Sequence, residues 1–311
     1  MRRTGLAVGT LRGDEQVIEC SGNLAPDSIV ELGSITKVFT GVLLADLALE
    51  GLVRLDDPVR PHLPPGLSLP PPVGREISLA ELASHLSGLR RAPRGMWRLA
   101  LRDLDNPYAG LREAELAEAL ARTRLRRPPG RFRYSNLGGG LLGIALSHRA
   151  GVEYEQLVCE RICAPLGMPD TMIEPTAEQR PRVAQGHSFV GRPRAAFALP
   201  GLPGAGALRS TVPEMLRFLR ATVDLPPTRL GKALELARTP RATAGRGLSI
   251  GLGWLVLEPR RGPVTLVHNG GTGRFRSFAG VVLERRAAVF VASSTNRSVD
   301  RVALRLLEKL A

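Results

Sequence analysis

Glu31-Leu32-Gly33-Ser34-Ile35-Thr36-Lys37-Val38-Phe39-Thr40 opens an apolar run that continues to Glu50 and stops at Gly51. Val38, Val42, Leu44 and Leu47 keep helical spacing, and Gly51 stands where a helix C-terminal glycine belongs. Ser34 and Lys37 therefore share one face near the helix start, with Cβ atoms roughly 5–6 Å apart. Lysine occurs only three times in the chain, at Lys37, Lys232 and Lys309, because arginine carries nearly all the positive charge. A serine is a poor nucleophile without a base in hydrogen-bond reach. Burial lowers a lysine toward neutrality, which lets it serve as that base. Ser-x-x-Lys is a common pattern, and alone it reads as a first-turn serine beside a snorkelling lysine.

On either side of this turn the periodicity sorts the chain into strand and helix. Leu6 to Thr10 and Gln16 to Cys20 read as short strands joined by Arg12-Gly13-Asp14. Pro58 to Pro72 is too rich in proline for regular structure and reads as a surface crossing. From Ile77 to Cys163 the pattern is mostly helical. Ser78-Leu79-Ala80-Glu81 resembles a capping box opening a helix to Leu86, and further helices are expected over Glu113 to Arg122, Leu137 to Arg149 and Tyr154 to Ile162. Arg209 to Val223 is read as a helix capped by Ser210 or Thr211, with Pro213 in its first turn. Beyond Leu248 strands return at Gly253 to Leu257, Val264 to His268, Phe278 to Leu283 and Ala288 to Ser293, and an amphipathic helix through Leu304, Leu307 and Leu310 closes the chain. Strands at both ends with helices between imply an α+β fold: one antiparallel sheet built from the two termini, flanked by helices, with an inserted helical lobe. The expected division is 1–60 plus 205–311 for the sheet lobe and 61–204 for the helical lobe, with the site in the cleft between them.

Two further stretches carry chemistry. In Pro128-Pro129-Gly130-Arg131-Phe132-Arg133-Tyr134-Ser135-Asn136, a tyrosine and an asparagine two apart after a turn point the same way. There Tyr134 is placed to relay a proton and Asn136 to hold a substrate carbonyl and the lysine. In Val267-His268-Asn269-Gly270-Gly271-Thr272-Gly273, a strand runs into glycines that let an acyl group lie close against the sheet edge. Each has a structural alternative: a packed tyrosine beside a helix cap, and a glycine hairpin with an incidental histidine.

In the order Ser-x-x-Lys, Tyr-x-Asn, His-x-Gly, the chain resembles the penicillin-recognising serine hydrolases, in the branch of class C β-lactamases, DD-peptidases and esterases. Ser84-His85-Leu86-Ser87-Gly88-Leu89, Pro165 to Thr171 and Gly204 to Thr211 are also similar to that family. The resemblance implies a β-lactamase-like fold with Ser34 as the acylated nucleophile, Lys37 as its base and Tyr134 as the proton-shuttling phenol. It implies substrate binding by Asn136, His268, Gly270 and Gly271, and an oxyanion hole from the backbone N–H groups of Ser34 and Gly271. His268 stands where many relatives carry lysine, and a neutral imidazole is a weaker carboxylate anchor. Either Arg274 or Arg276 holds a substrate carboxylate bidentately, or both are solvated strand-edge arginines; Arg276 is kept as a substrate-binding candidate. The expected activity is acyl-enzyme hydrolysis of small esters or amides: carboxylesterase-like, with D-peptidase or weak β-lactamase action also open. An ATP-independent acyltransferase or amide synthase would use the same Ser-Lys-Tyr site, and a non-catalytic binding protein is the reading from another class.

Composition narrows the remaining classes. A net charge of +14 raises nucleic-acid binding, but the charges are dispersed and aromatic residues make up only 4%, too few for stacking platforms. No apolar run is long enough to cross a bilayer. The start lacks a secretory h-region, and Cys20, Cys159 and Cys163 are odd in number with no metal spacing, so a cytoplasmic setting is expected. The partner expected is a small acyl substrate, with no cofactor, metal, specific nucleic acid or membrane. His85 is expected to brace a helix end, and His62 and His187 to lie in loops, with the cleft rim as the alternative for His187. Cys159 and Cys163 are expected to be core thiols. Trp97, Tyr108 and Trp254 are candidates for the pocket wall or for packing.

Overall fold

In the computed structural model the described residues are 4–96, 101, 106, 108–125, 128–259 and 262–310. Eight strands form one antiparallel sheet. In chain order its strands are β1 (Leu6–Arg12), β2 (Glu15–Ser21), β5 (Ala242–Gly245), β6 (Leu248–Ile250), β7 (Leu255–Leu257), β8 (Thr265–Gly271), β9 (Arg276–Val282) and β10 (Ala287–Ser293). They lie in the order β2-β1-β10-β9-β8-β7-β6-β5, so the first hairpin completes a sheet supplied mainly by the C-terminal third. A separate two-residue pairing joins β3 (Val30–Glu31) to β4 (Arg209–Ser210), just before the Ser34 turn.

β10 shows why its sequence is an unbroken apolar run. Ala288, Phe290 and Ala292 enter the large core, while Ala287, Val289 and Val291 join a smaller one with Val299, Ala303 and Leu307. A strand covered on both faces has no polar alternation to display. The smaller core lies under helix α9 (Asp300–Leu310), which packs on β9 and β10. The opposite face carries α1 (Thr36–Glu50) and α7 (Val212–Val223), with Phe39 and Phe218 stacked at 4.3 Å between them.

The intervening helices are α2 (Leu79–Ala83), α3 (Glu113–Ala121), α4 (Asn136–Ala150), α5 (Tyr154–Val158), α6 (Ala164–Leu166) and α8 (Arg229–Arg238). The capping box at Ser78 and Glu81 forms, but α2 stops at Ala83 and not near Leu86, because His85 adopts a left-handed backbone at φ 58°. The helix expected from Arg209 begins at Val212: Thr211 caps it, and Arg209–Ser210 is spent in β4. Helix α8 and strands β5 and β6 lie where no regular element was expected. The α5 helix runs into a π-helical turn over Cys159–Cys163, and Cys163 is buried. Among the described residues no helix is long and apolar enough to cross a membrane.

Candidate active site

Ser34 lies in a 3₁₀ turn, Gly33–Ile35, that feeds directly into α1. Gly33 holds φ +53°, and a Cβ there would come within 2.6 Å of Gly271 N, so only glycine lets the end of β8 press against the turn. The same contact brings the backbone of Ser34 beside that of Gly271. Ser277 on β9 secures it by donating from Oγ to Leu32 O at 2.8 Å. Gly270 serves this packing too: a Cβ there would meet Leu32 O at 2.0 Å and Ser277 Oγ at 2.1 Å. Its missing side chain makes room for the nucleophile turn, whereas the sequence had pointed to room for substrate.

Lys37 Nζ lies 3.1 Å from Ser34 Oγ and donates to Ala205 O at 2.6 Å. The lysine is buried. Burial pushes its pKa down from the ordinary lysine value, the Arg91 charge adds in the same direction, and the Tyr134 phenol opposes both through charge and hydrogen bonding. Nζ sits 5.0 Å from the Tyr134 ring centroid, with Arg91 Cζ 5.5 Å from it. α4 comes close to the lysine stem at Gly139, where a Cβ would stand 3.1 Å from Lys37 Cε.

His268 completes this side of the site. Its ring centroid lies 6.3 Å from that of Tyr134, and Nδ1 is 2.7 Å from Asn269 O. A carbonyl only accepts, so Nδ1 carries the proton and Nε2, buried and without a hydrogen-bond partner, is a bare acceptor. Burial, reinforced by the Lys37 charge, lowers the His268 pKa to about 3, so the imidazole is neutral at physiological pH. Asn136 occupies the first turn of α4 and donates from Nδ2 to Tyr108 Oη at 3.4 Å, which places Tyr108 at the site as well.

The two arginines after Gly271 separate. Arg274 is neither solvated nor free for a substrate: it is buried, with Nε donating to Glu31 Oε1 at 2.6 Å. Glu31 Oε2 accepts from Thr272 Oγ1 at 2.6 Å, and Oε1 also accepts from Phe197 N at 2.9 Å. Sequence periodicity gave no sign of this ion pair, because its partners lie more than 240 positions apart. Arg276 faces Gly271 across β8 and β9, so that a Cβ on Gly271 would fall 1.9 Å from its Nη1. Its Nε donates to Asn296 O at 3.1 Å, and its guanidinium has no carboxylate partner among the described residues.

The other candidates fall outside the constellation. His62 pairs with Asp57 at 3.3 Å, His187 is buried against Ser294 O, and Trp254 is fully buried in the core. Trp97 lies outside the described residues. One participant escaped the sequence reading, the Ala205 carbonyl, which is a backbone atom and so has no residue signature.

Known proteins resemble this chain over most of its length. A sequence model of the β-lactamase family matches residues 1–311. The D-alanyl-D-alanine-carboxypeptidase/endopeptidase AmpH of Escherichia coli (strain K12) is 29% identical over 313 residues, covering 93% of this chain and 78% of that protein. The β-lactamase of the same strain is 27% identical over 248 residues, covering 78% of this chain and 60% of that protein. Among solved structures, a β-lactamase/D-alanine carboxypeptidase from Yersinia pestis complexed with citrate superposes with a TM-score of 0.82 at 28% identity, covering 98% of this chain and 93% of that one. A class C β-lactamase in complex with cefoxitin gives a TM-score of 0.82 at 20% identity, covering 98% and 93% of the two chains, and shares the fold.

Proposed function

The chain belongs to the β-lactamase family of serine hydrolases, and on that premise we propose that it forms an acyl-enzyme at Ser34 on small amide or ester substrates bearing a carboxylate, D-peptide termini foremost. The observation that carries the reading is a buried lysine with a lowered pKa, 3.1 Å from the serine and in contact with a tyrosine. In this reading Lys37 Nζ takes the Ser34 proton as Oγ bonds to the substrate carbonyl carbon. The oxyanion is held by the N–H groups of Ser34 and Gly271. As the C–N or C–O bond breaks, Tyr134 gives its proton to the leaving group and recovers one from Lys37. Water then repeats the sequence on the acyl-enzyme, releasing the acid and restoring Ser34.

Arg276 supports the carboxylate preference, since it is a guanidinium without a carboxylate partner among the described residues, at the strand end that borders the acyl site, while neutral His268 offers no charge. Replacing Arg276 by alanine is expected to raise KM for a D-Ala-D-Ala-terminated peptide roughly 10–100-fold. KM for p-nitrophenyl acetate, which lacks the carboxylate, should change less than about 3-fold. Equal effects on both substrates would remove Arg276 from the reading. The reading as a whole is tested by intact mass after exposure to a fluorophosphonate, nitrocefin and p-nitrophenyl acetate. One adduct, mapped to Ser34 and absent from Ser34→Ala, is expected. Turnover unchanged in Ser34→Ala would overturn the reading.

A further inference from the structure

Tyr134 lies on an irregular segment before α4; Ser135 Oγ donates to Arg90 O at 2.6 Å and Asn136 N to Arg91 O at 2.9 Å on its far side, and His85 is the residue that holds it on both sides of the tyrosine. The His85 carbonyl accepts the Arg133 N–H at 2.8 Å, and its ring Nδ1 accepts the Ser135 N–H at 3.3 Å. One residue thus grips the chain on both sides of Tyr134. The rings of His85 and Tyr134 also pack in a tilted arrangement, with centroids 4.4 Å apart and planes at 43°. To reach this position His85 takes up φ 58°, a conformation rare for a residue with a side chain. Its neighbour Ser84 anchors the turn by donating to Gly251 O at 3.0 Å.

The hydrogen bond fixes the tautomer. Nδ1 accepts, so the proton sits on Nε2, which is buried and has no hydrogen-bond partner. Burial, with the nearby Lys37 charge adding to it, holds the ring in its neutral form. A buried ring held in a strained turn, with an unpartnered N–H beside the phenol, is more than a helix brace requires.

We infer that His85 is the positioning residue of the Tyr134 phenol: its backbone and ring clamp residues 133 and 135 and fix the direction in which the phenol meets Lys37 and the leaving group. The inference rests on the proposed role of Tyr134 in acyl transfer. A phenol displaced by about 1 Å would lose roughly 10²-fold in rate while leaving substrate affinity nearly untouched.

Pre-steady-state acylation by p-nitrophenyl acetate separates the possibilities, with the folded fraction counted by fluorophosphonate titration. His85→Gly accepts the positive φ and removes the ring. It should lower the acylation rate constant about 10–100-fold while KS stays within about 3-fold. His85→Asn tolerates the same backbone and restores an acceptor near Nδ1, so it should recover to within about 5-fold of wild type. In a Tyr134→Phe background, His85→Gly should cost less than about 3-fold more, because the two residues act as one unit. Multiplicative losses in the double variant, or equal losses in the Gly and Asn variants, would overturn the inference and leave acylation at Ser34 standing. A wild-type protein not modified at Ser34 would overturn both.

Discussion

Lys37→Met is expected to slow acylation of Ser34 by roughly 10³–10⁵-fold while the protein stays folded. Methionine matches the stem that packs against Gly139 but takes no proton from Ser34 Oγ. Two stability effects oppose each other. Removing an amine buried out of water relieves desolvation, whereas the Ala205 carbonyl loses its donor. The melting temperature at neutral pH should therefore move only a few degrees, and a large activity loss is then attributable to chemistry. Burst-phase kinetics with circular dichroism measures both. Retention of more than a tenth of the acylation rate would remove Lys37 from the role of base.

The same residue sets the pH behaviour. Its pKa is lowered in the folded protein, so the neutral amine gains population at a pH below the ordinary lysine value. Acylation should rise with pH through that lowered pKa, on a limb that Lys37→Met abolishes. His268 cannot supply this limb, because at about 3 it titrates far below the working range. The sign for stability follows from linkage. Between the lowered pKa and the ordinary one, the unfolded chain binds the lysine proton and the folded chain does not, so unfolding free energy increases with pH there. Denaturant titrations should show wild type gaining stability over Lys37→Met as pH rises through that window and levelling off above it. Groups common to both proteins cancel in the difference.

How much of this was written in the sequence depends on how far apart the partners lie. Ser34 and Lys37 are one turn apart, and local periodicity suffices to place them on one face. Tyr134 and Asn136 were visible through a Pro-Pro-Gly turn, and β8 through its glycines. The terminal sheet was legible because β1, β8, β9 and β10 keep apolar runs that no helix would need. Helix α8 was hidden because Gly231 and Lys232 interrupt a short amphipathic pattern, and β5 and β6 because they are only four and three residues long. His85 was visible as a residue at a helix end, but local sequence could not show its backbone and ring contacts to a segment 50 positions away. Arg274 failed in the same way: an arginine among glycines looks exposed until Glu31 arrives from the other end of the chain.

That ion pair carries the largest expected effect on stability. Glu31→Ala should destabilise the protein by about 3–5 kcal/mol, because it leaves the Arg274 charge buried without a counter-charge. Arg209 makes the situation worse: it is buried too, with Nε and Nη1 lacking hydrogen-bond partners. Thr272 and the Phe197 N–H would also lose their acceptor. At roughly 2 °C per kcal/mol for a chain of this size, the melting temperature should fall by about 6–10 °C. Activity should fall with it, since Glu31 lies three residues before Ser34 and its partner Thr272 follows Gly271 directly. A charge-conserving comparison identifies the cause. If the damage comes from an uncompensated buried cation, Glu31→Met with Arg274→Met should recover most of the lost stability, because removing both charges removes the desolvation problem. If the double variant is no more stable than Glu31→Ala, then the hydrogen bonds to Thr272 and Phe197 hold this corner, and the ion pair contributes little. In either case Glu31 ties the nucleophile turn to the far side of β8, because it is the one carboxylate that reaches both Arg274 and Thr272 among the described residues.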